Sequence, residues 1–306
     1  MRSASLSSSP ASCGTDPLHV ALVTTAAARG LDEDHAPLAA AFEALGHTAA
    51  AAEWADSGVD WSSFGVVLLR STWDYTEDLN RFLKWAGDVA AVTRLFNPIP
   101  TLRWSTDKRY LLDLKRAGVP IVPSAITAPG EPWVSPGTDE FVIKPSVGAG
   151  SRGAKRFIAG EEAAARAHAR KLNDDGYHAL TQPYLHSVDD YGETALMMFE
   201  GEFSHAIRKG PLLKRGGADV PGLFATETID PRVPGEDELA VARAAVAAIP
   251  GGAPLYARVD LIRDTSGQPC VLELELAEPS LYFNYAPGSA TRFARRVLAR
   301  LLGARG

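Results

Sequence analysis

The sequence has only two cysteines among 306 residues, and they lie far apart. Cys13 falls in a stretch rich in Ser and Ala, and Cys270 falls in a segment with the pattern of a strand. A structural disulfide is therefore not expected, and a reducing cytoplasm is the predicted location. The seven histidines include no His-x-x-x-His pair, so the ligands of a typical zinc site are missing as well.

The sequence also lacks long apolar runs and an excess of positive charge. No stretch of about 18 consecutive apolar residues occurs, so no membrane-spanning helix is expected. The net charge is -6 and Lys and Arg form no long run, which argues against nucleic acid as a partner. No Gly-x-Ser-x-Gly sequence is present, which removes the basis for serine-hydrolase chemistry. With 46% hydrophobic and 22% charged residues, the composition is that of a globular protein.

The patterns along the chain predict distinct regions. Residues 1–17 are rich in Ser and Ala without an apolar core, and they are expected to be a disordered extension, not a signal peptide. Residues 18–97 contain two buried-strand patterns, at 19–25 and 64–69, and they predict a small α/β domain with a parallel sheet. Asn97-Pro98 is expected to be a linker to the remainder of the chain.

Helix patterns occur at residues 37–46, 105–116, 161–172 and 291–302. Ser105 is the expected N-cap of the second helix, which places Lys108 in its first turn. A cation is electrostatically unfavourable there, so Lys108 is either solvated or held for an anion. The last helix alternates apolar residues with four arginines. That pattern fits a membrane surface or, more commonly, a helix docked on its own domain.

A glycine-rich loop, residues 146–153, follows Lys144 in Phe-Val-Ile-Lys-Pro. It matches Gly-x-Gly-x-x-Gly, but a strand pattern follows at 154–158 where the dinucleotide fingerprint requires a helix. Ala154 stands where the Walker lysine would be. The remaining interpretation is a flap between two antiparallel strands, with a cation beside exposed amides that suit a polyphosphate. The alternative is a flexible hairpin turn with a solvated lysine.

An acidic hairpin is predicted from two alternating runs, residues 256–263 and 270–276, joined by a turn-rich segment. A loop symmetric about the Ser266-Gly267 bond places Asp260 opposite Glu273 and Arg258 opposite Glu275, all on one face. Facing carboxylates need a compensating cation, and Mg²⁺ would supply it. The alternative is a solvated acidic face relieved by Arg258. The opposite face is expected in the core and carries Val259, Leu261, Leu272, Leu274 and Leu276.

The segment Arg70-Ser-Thr-Trp-Asp-Tyr75 follows a buried strand. Ligands of parallel sheets gather at the carboxyl ends of the strands, so Arg70, Trp73 and Asp74 could clasp a small zwitterion. The alternative is a helix cap with Trp73 packed beneath it.

The order of these motifs resembles the ATP-grasp superfamily. The motifs are Lys108, Lys144 with its glycine loop, Gln182-Pro-Tyr-Leu185, Arg258-x-Asp260 and Glu273-x-Glu275. The match covers about residues 98–302. The resemblance implies an α/β (α+β) chain in which two ATP-grasp subdomains, residues 98–185 and 186–306, follow the small parallel-sheet domain.

The resemblance implies a role for each motif. The ATP phosphates would meet Lys108 and Lys144, with Ser146, Gly148, Gly150 and Ser151 closing over them. The adenine would meet a hinge formed by Gln182, Tyr184 and Leu185, and the ribose would meet Asp189 or Asp190. Two Mg²⁺ ions would be held by Asp260, Glu273 and Glu275. The family commonly has asparagine at the position of Glu275, so either Arg258 balances the extra charge or the second metal is bound differently.

Enzymes of this superfamily typically convert a carboxylate to an acyl phosphate, which an amine then attacks, releasing ADP and phosphate. We expect Arg208 and Lys209 to face the transferred phosphate and Arg258 to assist catalysis, although two solvated charges beside a turn would fit the same sequence. The alternatives are an ATP-grasp kinase that phosphorylates a hydroxyl, and a nucleotide-binding module without turnover. Intact lysines and carboxylates favour an enzyme.

Several phrases resemble a smaller group of bacterial ATP-grasp ligases, which includes the cyclo-ligase of cycloserine biosynthesis that closes O-ureido-D-serine on itself. This resemblance implies antibiotic biosynthesis and a small carboxylate partner, with dipeptide or amide ligation as the alternative. It places Arg70, Trp73, Asp74 and Tyr282 around an amino-acid substrate. A homodimer is left open. The phrases are Arg-Ser-Thr-Trp-Asp-Tyr, Trp104-x-x-Asp-Lys108, Ser204-His-Ala-x-x-Lys and Glu-Leu-Glu-Leu-x-Glu-Pro-Ser-Leu281.

Overall fold

The computed structural model describes residues 16–213 and 228–303. Residues 1–15, which include Cys13 and most of the extension predicted from the sequence, lie outside the described residues. Three sheets, one parallel and two antiparallel, make up the described part of the chain. No helix in these two ranges has both the length and the apolar character needed to cross a bilayer.

The N-terminal sheet is parallel, as predicted, and has the strand order β2-β1-β3-β4. Its central strands are apolar on both faces because helices cover both sides of the sheet. Helix α1 packs on one face through Phe42, and α2 packs on the other through Phe82. The elements are β1 His19–Thr24, α1 His35–Ala44, β2 Thr48–Glu53, β3 Val66–Ser71, α2 Leu79–Val92 and β4 Leu95–Phe96.

Two short helices replace the single helix predicted from Ser105. They are α3, Ile99–Ser105, and α4, Tyr110–Arg116. Ser105 therefore ends α3 and does not cap a longer helix. Pro98 precedes α3 and Pro100 lies in its first turn, where proline's missing N–H costs nothing. Lys108 lies in the break between the helices, where its N–H donates to the carbonyl of Ser146 at 2.7 Å. The break thus ties Lys108 to the glycine loop.

The second sheet carries the glycine loop. Its strand order is β5-β8-β6-β7, and β6 and β7 are antiparallel. Lys144 lies near the end of β6, so the predicted flap between antiparallel strands is confirmed. Helix α5 packs on this sheet through Ala165 and Ala169. The elements are β5 Ala125–Thr127, β6 Glu140–Pro145, β7 Lys155–Ile158, α5 Glu162–Asp174 and β8 Ala179–Pro183.

The third sheet is antiparallel, with the order β11-β10-β9-β12-β13. Helices α4 and α7 cover one face, while α1 and α8 lie against the other. Phe293, Val297 and Leu301 of α8 are buried in that core, so the arginine-rich helix is docked on its own protein. The elements are α6 Ser187–Asp190, β9 Glu193–Phe199, β10 Glu202–Lys209, β11 Ile229–Arg232, α7 Glu236–Ala247, β12 Tyr256–Arg263, β13 Pro269–Glu275 and α8 Ser289–Gly303.

Asn97 is a buried joint between the first and third sheets. Its amide nitrogen donates to the carbonyls of Tyr256 and Leu276, at 2.9 and 2.8 Å. Its amide oxygen accepts from the N–H of Leu255 at 2.8 Å. The residue predicted as part of a linker therefore fixes β12 and the end of β13 against the N-terminal sheet.

The β12-β13 hairpin has the predicted functional register, with Arg258 opposite Glu275 and Asp260 opposite Glu273. A bulge follows Asp260, so Leu261 pairs with Val271 and the register beyond it shifts by one residue. Leu272 is the extra residue. It lines a cavity, whereas the symmetric hairpin predicted that it would join the core. Alternation alone cannot reveal a bulge, because the same residues fit either register.

Candidate active site

A cavity of about 580 Å³ lies where the three sheets meet. The glycine loop and β6 form one wall, and the hairpin forms the wall opposite. The loop after β1 and the segment after β13 close one end. A cavity of this size suits a small-molecule ligand.

Two lysines surround one carboxylate beside the glycine loop. Lys108 Nζ lies 3.1 Å from Glu273 Oε1 and donates to the carbonyl of Gly148 at 2.5 Å. Lys144 Nζ lies 3.9 Å from Glu273 Oε2. Burial opposes ionisation of Glu273, but the two ammonium groups outweigh it and lower its pKa. Burial lowers the pKa of Lys144 although Glu273 opposes that shift. Both lysines are held beside the glycine loop by their contacts with Glu273.

A second charged cluster lies deeper. Lys209 Nζ donates to Asp260 Oδ2 at 2.7 Å and lies 3.0 Å from Glu193 Oε2. Arg258 contacts both oxygens of Asp260, at 2.8 and 2.9 Å, and also donates to Glu275. Burial opposes ionisation of Asp260, yet Arg258 and Lys209 hold its pKa at about 2. Burial raises the pKa of Glu275 to about 7 against the pull of Arg258.

Of the three carboxylates predicted to bind metal, two line the cavity and one does not. Glu273 and Glu275 line the cavity and offer the hard oxygen ligands that Mg²⁺ prefers. Asp260 lies beneath them with its oxygens engaged by Arg258 and Lys209. Across residues 16–213 and 228–303, no three His, Cys, Asp or Glu side chains are grouped closely enough to hold an ion alone. The donor set fits Mg²⁺ that takes its other ligands from phosphate and water.

The glycine loop takes backbone conformations that suit close contact with a ligand. Gly150 and Gly153 have φ values of 60° and 70°, and Ser151 adopts 61° although it has a side chain. Gly148, Gly150 and Ser151 line the cavity. Ser146 was predicted to do so, but its side chain is buried away from the cavity and its backbone pairs with Lys108 and His178.

Arg152 fastens the loop to the N-terminal domain. Its guanidinium donates to the carbonyl of Trp73 at 3.0 Å, to Thr76 Oγ1 at 2.5 Å and to Glu77 at 2.9 Å. The flap is therefore closed over the cavity, and its closure depends on the segment that carries Trp73.

The predicted hinge forms the other end of the cavity. Gln182, Tyr184 and Leu185 line it, beside an apolar slot that includes Ile262 and Leu272. The guanidinium of Arg156 lies over the Tyr184 ring, 3.3 Å from its centroid. The backbone N–H of Tyr184 donates to the carbonyl of Glu140. An apolar slot next to backbone groups suits a planar heterocycle.

Asp189 accepts a hydrogen bond from the Tyr184 hydroxyl at 2.7 Å. Neither Asp189 nor Asp190 lines the cavity. The ribose contact inferred from the resemblance stays a prediction.

The four predicted substrate residues divide into two pairs. Trp73 and Tyr282 line the cavity, whereas Arg70 and Asp74 do not. Arg70 is buried against the carbonyl of Pro279 at 2.6 Å and lies 3.5 Å from Asp34. Asp74 accepts from Thr25 Oγ1 and Trp54 Nε1, at 2.5 and 2.8 Å. These two residues join elements of the cavity walls, and their contact with substrate stays a prediction.

Of the adjacent residues Arg208 and Lys209, only Lys209 reaches the cavity. Successive side chains of a strand point to opposite faces, so both could not face one ligand. Arg208 donates instead to the carbonyls of Tyr191 and Asp190, at 2.8 and 3.0 Å. The contact of Arg208 with the transferred phosphate stays a prediction that these hydrogen bonds do not favour.

Sequence reasoning missed Glu278 and Asp34. Glu278 lines the cavity three residues after Glu275, and its place in Glu-x-Glu-x-x-Glu could have identified it. The Asp34 carboxylate accepts backbone N–H bonds from Leu281, Tyr282 and Phe283, at 2.5, 3.2 and 2.8 Å. It fixes Tyr282, whose φ is 50°, at the cavity. No local pattern connects residues so distant in sequence.

Known proteins that are similar to this chain identify its family. The family model for the D-cycloserine synthetase DcsG, N-terminal domain, matches residues 20–97. The cycloserine biosynthesis protein DcsG of Streptomyces lavendulae is 41% identical over 297 residues, which covers 92% of this chain and 98% of that protein.

Solved structures of two known proteins are also similar to this chain. A crystal structure of D-cycloserine synthetase DcsG has a TM-score of 0.85 at 40% identity, covering 92% of this chain and 99% of that one. The ATP-grasp ligase PsnB shares the fold with a TM-score of 0.60 at 16% identity, covering 93% of this chain and 100% of that one. The extent and identity of these matches show that the chain belongs to the D-cycloserine synthetase (DcsG) family and is a ligase of the ATP-grasp fold.

Proposed function

We propose that this ligase uses ATP to activate the carboxylate of O-ureido-D-serine and closes the molecule to D-cycloserine, releasing ADP and phosphate. The observation that carries the proposal is one cavity in which Lys108 and Lys144 lie beside the glycine flap while Arg258 and Lys209 lie on the opposite wall. Cations on both sides of a phosphoryl group can neutralise it during transfer. Membership of the DcsG family supports the choice of substrate.

ATP would lie between the sheet of residues 98–185 and the five-stranded sheet of residues 186–306. The apolar slot at Leu185 and Leu272 would take the adenine. Lys108 and Lys144 would exchange part of their contact with Glu273 for phosphate oxygens. The amides around Gly150 would cover the phosphates, because a glycine loop allows close approach of the backbone.

Two Mg²⁺ ions, as the family resemblance implies, would be held by Glu273 and Glu275, with Asp260 beneath them, and would supply positive charge to neutralise the phosphoryl group. The donor chemistry supports this assignment, since the two carboxylates face the cavity beside the lysines. Arg258, which donates to Glu275, would offset the extra negative charge at a position where the superfamily commonly has asparagine.

The reaction then follows from the positions of the charged groups. A substrate carboxylate oxygen attacks the γ-phosphorus, and the bond to ADP breaks. Arg258 and Lys209 stabilise the anionic acyl phosphate and the tetrahedral intermediate formed from it. The nitrogen attached to the side-chain oxygen attacks the activated carbonyl, phosphate leaves, and the N–H proton passes to the departing phosphate. Water then cleaves the carbamoyl group from that nitrogen as carbamic acid, which restores the ring N–H of cycloserine. Trp73 and Tyr282 would close the substrate end and exclude bulk solvent.

ADP release tests this proposal. We expect O-ureido-D-serine to stimulate ADP release with one cycloserine formed per ADP, measured by a coupled assay and by mass spectrometry. Hydroxylamine should trap the acyl phosphate as a hydroxamate, which a hydroxyl kinase would not produce. A Lys209→Met protein should keep its affinity for ATP and lose ADP release, since Lys209 faces the reacting groups. Failure of O-ureido-D-serine and every related amino acid to stimulate ADP release would contradict the proposal.

A further inference from the structure

Glu278 is an acidic residue of the cavity wall that the reaction scheme above does not use. It follows β13, has only 6% of its surface exposed, and lines the cavity. The indole Nε1 of Trp73 donates to its carbonyl at 3.3 Å, and Arg70 donates to the carbonyl of the next residue, Pro279. Its position on the wall is therefore fixed from the N-terminal domain.

The three carboxylates of the acidic hairpin each contact a cation of the protein. Asp260 contacts Arg258 and Lys209, Glu273 contacts Lys108, and Glu275 contacts Arg258. Within residues 16–213 and 228–303, Glu278 forms no ion pair with Lys, Arg or His. A buried carboxylate without a paired cation is unfavourable unless it is protonated or meets a positively charged ligand.

Burial and the neighbouring acidic groups make an unpaired negative charge on Glu278 less favourable. Burial raises the pKa of Glu278 to about 8; the carboxylate of Glu275 adds to that shift, and the ammonium of Lys108 opposes it. Burial also raises the pKa of the neighbouring Tyr75 well above its usual value, and Glu278 contributes to that rise. Tyr75 and Glu275 supply no positive charge, and the ammonium of Lys108 is already paired with Glu273 at 3.1 Å. This end of the cavity therefore favours a cationic group on the ligand.

We propose that the carboxylate of Glu278 binds the α-ammonium group of the substrate and so makes the enzyme selective for amino acids over acids that lack the amine. The inference rests on the proposed function, because that function places the substrate carboxylate beside Arg258 and Lys209. Glu278 lines the same cavity, and its carbonyl accepts from the indole of Trp73. Cations and a carboxylate lining one cavity match the two charges of an amino-acid zwitterion.

Three other acids, Asp32, Glu33 and Asp34, line this end of the cavity. Asp34 is paired with Arg70 and accepts three backbone N–H groups, so it is already satisfied. Glu33 is exposed, and water screens its charge. Asp32 accepts the N–H of Asp34 through Oδ1, whereas its buried Oδ2 has no hydrogen-bond partner among the described residues, so Asp32 is the competing acid that the variants must exclude. These residues provide comparison variants.

Binding measurements separate this proposal from the proposed function. Calorimetry in the presence of Mg²⁺ and a non-hydrolysable ATP analogue would measure the Kd of O-ureido-D-serine and of 3-(ureidooxy)propanoic acid, which lacks only the amine. We expect Glu278→Gln to weaken binding of the amino acid by roughly 100-fold, because a charge-assisted contact is lost. The Kd of the desamino acid should stay within about threefold. Glu278→Asp should retain part of the preference, and a thermal melt would verify folding of each variant.

Two results would overturn the role of Glu278. One is equal weakening of both acids, or of neither, in Glu278→Gln. The other is loss of the preference in Asp32→Asn or Glu33→Gln while Glu278→Gln keeps it. Failure of the proposed function would look different, because the wild-type protein would then bind the amino acid without releasing ADP.

Discussion

The Lys108 ammonium and the Glu273 carboxylate form a 3.1 Å ion pair that joins the break between α3 and α4 to the β13 strand. The same ammonium donates to the carbonyl of Gly148, so one side chain links the flap and the acidic hairpin. A bound phosphate would compete with Glu273 for this lysine, so nucleotide binding would weaken the contact between Lys108 and the hairpin.

Replacing Lys108 by Met should weaken ATP binding by about 10-fold or more, since a charge-assisted phosphate contact contributes roughly 1.5–3 kcal/mol. Fluorescence titration with a labelled ATP analogue would measure the Kd. Lys115→Met is the matched control, because Lys115 is exposed on α4. Equal Kd values for the two variants would refute a phosphate role for Lys108.

Replacing Glu273 by Gln should reduce the dependence of ATP binding on Mg²⁺, because the variant loses an anionic oxygen ligand that faces the cavity. ATP titrations with and without Mg²⁺ would show the wild-type Kd falling far more on addition of metal than the Kd of the variant. Glu43→Gln, on the exposed side of α1, is the control. An unchanged metal dependence in Glu273→Gln would show that the carboxylate is not a ligand.

Sequence alternation was sufficient to place Arg258, Asp260, Glu273 and Glu275 on one face of the hairpin, because strand pairing repeats every two residues. The bulge that turns Leu272 toward the cavity could not be predicted, since both registers satisfy the same pattern. Order and spacing of the motifs likewise gave the ATP-grasp fold, which the comparisons confirm.

The substrate end was harder to predict because its polar partners are distant in sequence. Arg70 has a suitable strand-end position, yet its guanidinium is used by the carbonyl of Pro279, 209 residues away. Glu278 was assigned no role from the sequence, although it ends the Glu-x-Glu-x-x-Glu pattern. Its lack of a contacting cation among the described residues appears only when the ion pairs of its neighbours are known.

Replacing Arg152 by Ala should release the flap from the segment of Trp73, Thr76 and Glu77. We expect the KM for ATP to rise about 5-fold and limited proteolysis to cut the glycine loop faster, because lost hydrogen bonds shift the loop toward open states. Arg166→Ala, on the exposed side of α5, should change neither measurement. Identical proteolysis rates in the two variants would show that Arg152 does not hold the loop.

His205 should make folding stability depend on pH. Its Nε2–H donates to the carbonyl of Leu281 at 2.7 Å, and Nδ1 contacts Ser204 Oγ at 2.9 Å, so the neutral ring is held beside the substrate segment. Burial lowers the pKa of His205 to about 4 from the ordinary 6.5. The unfolded chain therefore binds a proton at a higher pH than the folded protein does. Stability present above pH 6.5 should be lost as the pH falls toward 4, by up to about 3 kcal/mol from this residue.

The His205→Gln variant isolates that contribution, because its amide can donate to the Leu281 carbonyl but cannot titrate. Urea unfolding at several pH values between 4 and 7 would give the free energy of unfolding of both proteins. The remaining titrating groups are common to the two, so the difference between their curves reports His205 alone. The wild-type curve should fall more steeply below pH 6.5, and parallel curves would mean that the ring is protonated equally in the folded and unfolded states.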